Sequence, residues 1–202
     1  MGDASQYNTV GLTQSSLQNE YNSMISSIKT NKGFYVGRYE MGIENGNAVS
    51  KLGITPASSY DGCTNNDTGE GALRWYGLYS AAKTYTNSSN NVQSHMIWGA
   101  EYDAMLNYAL EGNDKGKVTS TEYGNYGGRL LKTGTTQTSD KINNIYDLGG
   151  NMEEWTTEAY GTSIRVGRGG NYFGNCPATD HSLSHPGKYI SNYSSRVALY
   201  IK

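Results

Sequence analysis

Hydrophobic positions recur at helical spacing in three stretches of the chain and at strand spacing near its two ends. Leu17, Tyr21, Met24, Ile25 and Ile28 fall at i, i+4, i+7, i+8 and i+11, one face of an amphipathic helix that starts at a Ser N-cap near Ser15 and ends near Lys29. Asn31-Lys32-Gly33 then reads as a turn, and Gly33–Met41 (GFYVGRYEM), rich in aromatic and β-branched residues, as a strand. Leu73–Tyr85 places Leu78, Ala81, Ala82 and Tyr85 on one side of a second helix despite Gly77. His95–Trp98 forms an apolar entry to a third helix, along which Trp98, Tyr102, Met105, Leu106 and Ala109 keep the period. Glu101 and Asp103 lie off that stripe and read as solvated residues rather than an acid/base pair. At the far end Val197, Leu199 and Ile201 alternate on one face of a final strand, Arg196–Lys202.

The segments between these elements have little periodicity. Residues 1 to about 14 read as a polar tail, Gly42–Gly71 as a long loop with turn signals, and Lys117–Asp140 as Gly-, Thr- and Tyr-rich loops with room for a short hairpin. Ile145–Thr156 starts apolar, turns at Gly149-Gly150-Asn151 and re-enters an extended run, and Arg165–Gly170 repeats that form. Between Gly170 and the final strand runs a stretch of small, polar and aromatic residues without periodicity. Helices followed by short strands and long loops make an α+β domain at 33–202, preceded by a tail and a short helix at 1–32.

Composition narrows the function. The chain has 202 residues, one domain's worth, and a formal net charge of -2, which gives no electrostatic footprint for nucleic acid. No apolar run reaches membrane length, so membrane insertion is not expected, and MGDASQYNTV lacks the charged-then-apolar layout of a signal peptide. Eighteen Tyr against two Phe, with 26 Gly, is the palette of adaptable binding surfaces, and equally that of a loop-rich domain using Tyr for bulk. Cys63 and Cys176 show no paired spacing and make neither a disulfide framework nor a zinc knuckle.

In order and spacing, GFYVGRYE, WYGLYSAAKTY, WGAEYDAML, NNIYDLGGNMEEWT, RVGRGGNY and SRVALYIK resemble the formylglycine-generating-enzyme (sulfatase-modifying factor) family. The most specific parts are YDLGGN-x-x-EW and R-x-x-RGGNY. The resemblance spans about Gly33 to Lys202 and implies a C-type lectin-like fold in which the first and last strands pair and long loops project together. The family's oxidases bind copper through two cysteines a few residues after the Gly-Gly turn. The matching positions here are Gly174 and Thr179, and Cys176 alone cannot supply a two-sulfur site. The resemblance therefore implies a protein that is not an enzyme and requires no cofactor.

Among the non-enzymatic relatives are the variable proteins of diversity-generating retroelements of phages and bacteria, whose adenine-randomised codons lie near the end of the gene. A randomised AAY codon cannot yield Lys, Glu, Gln, Met or Trp, and Asn171–Gly187 (NYFGNCPATDHSLSHPG) contains none of them. It does contain two of the chain's three His, one of its two Cys and one of its two Phe, a mixture expected of a sampled surface. The resemblance thus implies ligand binding by about 171–193, through Tyr172, Phe173, Asn175, Cys176, Asp180, His181, Ser182, Ser184 and His185. Tyr189, Asn192 and Tyr193 extend the set, and Lys188 would be a fixed position. The partner would be a protein or glycan on a cell surface, and the chain would belong to a phage virion or a bacterial cell surface.

Other readings of the same residues stay open. Cys176, Asp180, His181 and His185 are of types that bind zinc, although Pro177 and Pro186 bracket the stretch. The resemblance also places a calcium ion at Asp147, Gly150, Met152 and Glu154, through two carboxylates and two backbone carbonyls. The alternative there is a hydrogen-bonded turn. A divergent enzyme of the same fold, or a structural virion or surface domain, are the competing functions.

Overall fold

The fold is described from a computed structural model, for residues 12–58, 75–86, 90–111, 115–135, 140–161, 163–188 and 190–202. Cys63, Tyr189 and most of the predicted tail lie outside the described residues.

The first helix, α1 (Gln14–Asn31), starts one residue before Ser15 and is capped by Thr13 rather than by a serine. Thr13 accepts from the Ser16 backbone N–H (3.0 Å), and the Ser16 hydroxyl accepts in return from Thr13 N–H (2.8 Å). This reciprocal pair uses two donors that the first turn would otherwise leave open. Thr13→Ala should cost about 1 kcal/mol, read as a lower urea midpoint. Lys32, at φ 64°, ends the helix in the left-handed region. Leu12, expected in the polar tail, is buried against the core.

The chain's ends meet in a three-stranded sheet of order β1-β11-β4, with β1 at Tyr35–Val36, β4 at Val92–Met96 and β11 at Val197–Ile201. First and last strands pair antiparallel, Tyr35 opposite Leu199, as the family resemblance implies. The first is much shorter than Gly33–Met41, because beyond Gly37 the backbone turns to other partners. Ser50 holds Tyr39 by N–H and C=O, and Tyr146 N–H donates to the Arg38 carbonyl. The predicted one-sided pattern of the last strand is also incomplete. Lying between two neighbours, β11 is covered on both faces: Val197 packs with Met41, Trp75 and Tyr79, while fully buried Ala198 packs with Ile97, Tyr102 and Met105.

His95 and Met96 belong to β4 and not to a helix entry. The central position of β11 supplies β4 with a ladder from Val92 to Met96, which outweighs local pattern. Besides α1, which packs on β11, the helices around the sheet are α2 (Trp75–Lys83) and α3 (Gly99–Glu111), with a short α4 (Lys115–Val118) after them. Glu101, expected in solvent, is 2% exposed. It accepts from Trp98 N–H (2.9 Å) at the start of α3 and pairs with His95 Nε2 (2.8 Å). Asp103 does face solvent, near Arg168 at 3.3 Å.

A second sheet has the order β10-β7-β8-β9, with β9 at His181–Ser184. β7 (Glu153–Tyr160) follows the Gly149-Gly150-Asn151 turn, β8 (Ile164–Arg168) returns antiparallel, and β10 (Tyr193–Ser195) runs parallel to β7. Trp155 is 1% exposed, with its ring 4.6 Å from that of Tyr193, while Trp75 Nε1 donates to the Thr156 carbonyl (2.6 Å). Two small hairpins, β2–β3 (Gly42–Glu44, Asn47–Val49) and β5–β6 (Lys141–Ile142, Ile145–Tyr146), complete an α+β architecture.

Candidate functional site

Part of the segment after Gly170 forms a strand despite its lack of periodicity. His181–Ser184 is β9, antiparallel to β8 on the edge of the second sheet, with Arg168 opposite His181 and Arg165 opposite Ser184. The strand period of two turns His181, Leu183 and His185 outward and Ser182 and Ser184 toward the protein. Leu183 is 49% exposed.

Elsewhere in the segment, Phe173 is 69% exposed and its ring lies 4.3 Å from that of Tyr172. Asn175 is exposed, whereas Tyr172, Cys176, Asp180 and Asn192 are half-buried. Tyr193 does not extend the surface as expected: its ring is buried against Trp155.

The segment is held mainly through its backbone. Tyr172 N–H donates to the Asn151 carbonyl (2.9 Å), and the Tyr172 carbonyl accepts from Gly128 N–H (2.8 Å). The Cys176 carbonyl accepts from the Tyr126 hydroxyl (2.6 Å), and that of Asp180 from Gly169 N–H (2.9 Å). Gly170 is required here, because a Cβ would run into the Cys176 carbonyl. Below β9, Ser182 bonds both the Glu153 carboxylate and the Tyr193 hydroxyl, and Asn171 Nδ2 donates to Glu153 (3.4 Å). Burial raises the Glu153 pKa, opposed by these hydrogen bonds. Ser182 and Tyr193 thus act as supports beneath the surface, and His181, Leu183, His185, Phe173 and Asn175 are the side chains free to meet a partner.

The zinc alternative does not match this geometry. His181 and His185 sit four residues apart along extended chain, roughly 13 Å at about 3.3 Å per residue, too far for one ion. Among the described residues no group of three or more His, Cys, Asp and Glu is placed to hold a metal. The Cys176 thiol is pushed up to about 11, first by its hydrogen bond to Asp180 and then by burial. A thiol held protonated at neutral pH is a poor nucleophile and a poor metal ligand.

The two carboxylates expected to hold calcium, Asp147 and Glu154, are engaged by other groups. Arg196 Nε lies 3.0 Å from each Glu154 carboxylate oxygen, and the Asp147 carboxylate accepts from Gly134 N–H (3.0 Å). Met152 N–H donates to Glu40 (2.8 Å), and Gly150, at φ 78°, packs backbone to backbone on Asn125. The cation beside Glu154 is the Arg196 guanidinium, and this arrangement does not fit a calcium ion.

One part of the site escaped sequence reading altogether. Tyr123–Leu131, read as undistinguished loop, lies against 171–178 through Gly128 and Tyr126. Its cue was the run Tyr123-Gly-Asn-Tyr-Gly-Gly-Arg129, whose glycines permit close backbone approach but do not say to what.

No family model and no curated protein matches the sequence. Solved structures do match. CarF is 16% identical over 84% of this chain and 87% of its own, with a TM-score of 0.56. PvdO from Pseudomonas aeruginosa is 12% identical over 83% and 80%, with a TM-score of 0.51. Treponema denticola variable protein 1 is 15% identical over 79% and 90%, with a TM-score of 0.46. The chain shares its overall fold with the first two.

Proposed function

We propose that this chain is a non-enzymatic ligand-binding protein that displays a hypervariable surface on a C-type lectin-like scaffold, as the variable protein of a diversity-generating retroelement. The observation that carries this reading is the division of labour in 171–185. Its backbone is hydrogen-bonded to fixed elements at Tyr172, Cys176 and Asp180, while Phe173, Asn175, His181, Leu183 and His185 project outward. Side chains on such a segment are exchangeable without loss of the path they stand on. Aromatic, His, Asn and Ser side chains give contact area and adaptable hydrogen bonding suited to a protein or glycan on a cell surface. A phage particle or a bacterial cell surface is the setting such a receptor-binding role requires. Among the described residues no helix is long and apolar enough to cross a membrane.

The gene tests this directly. Codons at Tyr172, Phe173, Asn175, His181, Leu183 and His185 should end in a pyrimidine, with a near-repeat carrying AAY and a reverse transcriptase gene nearby. No repeat and no reverse transcriptase gene would remove the retroelement reading. At the protein level, Phe173→Ser, His181→Ala and His185→Ala together should change unfolding free energy by no more than about 0.5 kcal/mol per site, measured in urea. A cooperative loss of several times that would make these residues structural.

A further inference from the structure

Asn151 uses every hydrogen-bonding group it has, and its bonds reach Glu40, the 125–131 loop and Tyr172. Its side-chain N–H₂ donates to Glu40 (2.5 Å), and its side-chain oxygen accepts from Asn125 Nδ2 (2.7 Å) and Leu131 N–H (3.0 Å). Its backbone N–H donates to the Asn125 carbonyl (2.9 Å), and its carbonyl accepts from Tyr172 N–H (2.9 Å). The residue is fully buried, at φ 58°, and Asn125 is 5% exposed. Asn adopts that backbone conformation more readily than most residues, and its amide alone offers donor and acceptor together at this reach.

Asn125 completes the junction from the other side. It forms a parallel bridge with Gly150, its N–H donates to the Gly149 carbonyl (3.1 Å), and its side chain also donates to the Arg129 carbonyl (3.4 Å). The two backbones meet so closely that a Cβ on Gly124 would strike the Gly149 carbonyl, and one on Gly150 would strike Asn125. Tyr126 then reaches from this loop to the Cys176 carbonyl, and Gly128 to that of Tyr172. The outer edge of the loop presents Tyr123, 38% exposed, and Arg129, also exposed.

We infer that Tyr123–Leu131 is a constant second wall of the ligand surface, and that Asn125 and Asn151 are positioning residues locking this wall and the 171–178 segment into one register. The inference rests on 171–185 being the ligand surface, and adds that the surface has two segments, only one of which varies. A partner therefore meets an invariant edge with Tyr123 and Arg129 beside the changing side chains. Because the amide pair bonds to the variable segment through the Tyr172 main chain, the register is independent of which side chains that segment carries.

Amide hydrogen exchange on the full chain tests the lock without any ligand. In Asn125→Ala, the Gly128, Leu131 and Tyr172 amides should exchange at least tenfold faster, while Ala198 and Tyr200 in the first sheet keep their protection. Tyr126→Phe, which removes a single hydroxyl from a half-buried ring, should speed exchange over 176–180 several-fold with an unchanged melting temperature. A purely structural role would lower protection everywhere, so uniform acceleration, or none at Gly128 and Tyr172, overturns the inference. The ligand-surface reading is tested separately by the gene and by the triple substitution, so each can fail without the other. If Asn125→Ala does not fold, Tyr126→Phe alone decides: unchanged exchange over 176–180 overturns the joining of this wall to the 171–178 segment.

Discussion

Replacing Arg196 with Met should destabilise the protein by about 3–5 kcal/mol, enough to leave much of the chain unfolded at 37 °C. Both partners of the Arg196–Glu154 pair are at or below 1% side-chain exposure. The guanidinium also donates to the Gly37 carbonyl (2.8 Å) and the Tyr146 carbonyl (2.8 Å). One side chain, from the residue just before β11, thus joins the residue after the first strand, β6 and β7. Burial alone opposes a charge on Arg196, and the Glu154 carboxylate more than restores it, so the pKa lies above its ordinary value. Removing the guanidinium strands a buried carboxylate and two carbonyls, whereas removing both charges avoids the larger part of that cost. Urea denaturation of Arg196→Met, Glu154→Leu and the double variant checks this. The double variant should be more stable than Arg196→Met. If the losses simply add, the pair is not coupled.

The second large effect is on pH. Asp147 is 3% exposed and its pKa is raised from 3.8 to about 7. Burial is the main cause, countered by the Gly134 N–H, with Asp140 and Glu154 raising it further and Arg196 lowering it. Glu40, fully buried, is raised well above its ordinary value, by burial first and then by Asp147 and Glu154. A carboxyl whose folded pKa exceeds its unfolded pKa keeps its proton in the native state after the unfolded chain has lost it. Stability then falls as pH rises from the unfolded value, 3.8 for Asp147, to the folded value of about 7, at about 1.4 kcal/mol per unit. The urea midpoint should therefore be higher at pH 5 than at pH 8, and Asp147→Asn should flatten the difference. A midpoint that rises toward pH 8 would mean that these carboxyls are ionised in the fold.

The framework around this network was largely legible in sequence. Period alone located α1, α2 and α3, because each buries one face on the core and must repeat every three to four residues. The Gly149-Gly150-Asn151 turn and the strand after it were legible because only a few residue types accept positive φ. The lengths of β1 and β4 were not. Gly33–Met41 has strand composition throughout, yet only Tyr35–Val36 pairs with β11, since beyond Gly37 the backbone finds its hydrogen bonds on Tyr146, Ser50 and Ser195.

For the candidate site, sequence proposed the segment, through its position between Gly170 and the last strand, and its list includes the outward residues Phe173, Asn175, His181 and His185. It could not separate these from Ser182 and Tyr193, which have the same chemistry but point inward, because β9 exists only by pairing with β8 and Tyr193 is turned inward by the pairing of β10 with β7. Glu101 illustrates the same limit. Off its helix stripe it should be solvated, but β4 brings His95 to it from outside the helix.

Sequence by itself determined the local choices: where helices run, where chain reverses, and which residue types the last segment offers. Tertiary structure decided which polar groups are buried and what they bond to. The Arg196–Glu154 pair spans 42 positions and the Asn151–Glu40 bond 111. Contacts that distant leave no periodic trace in the chain, because a polar side chain is written in the same letter whether water or another residue completes its hydrogen bonds.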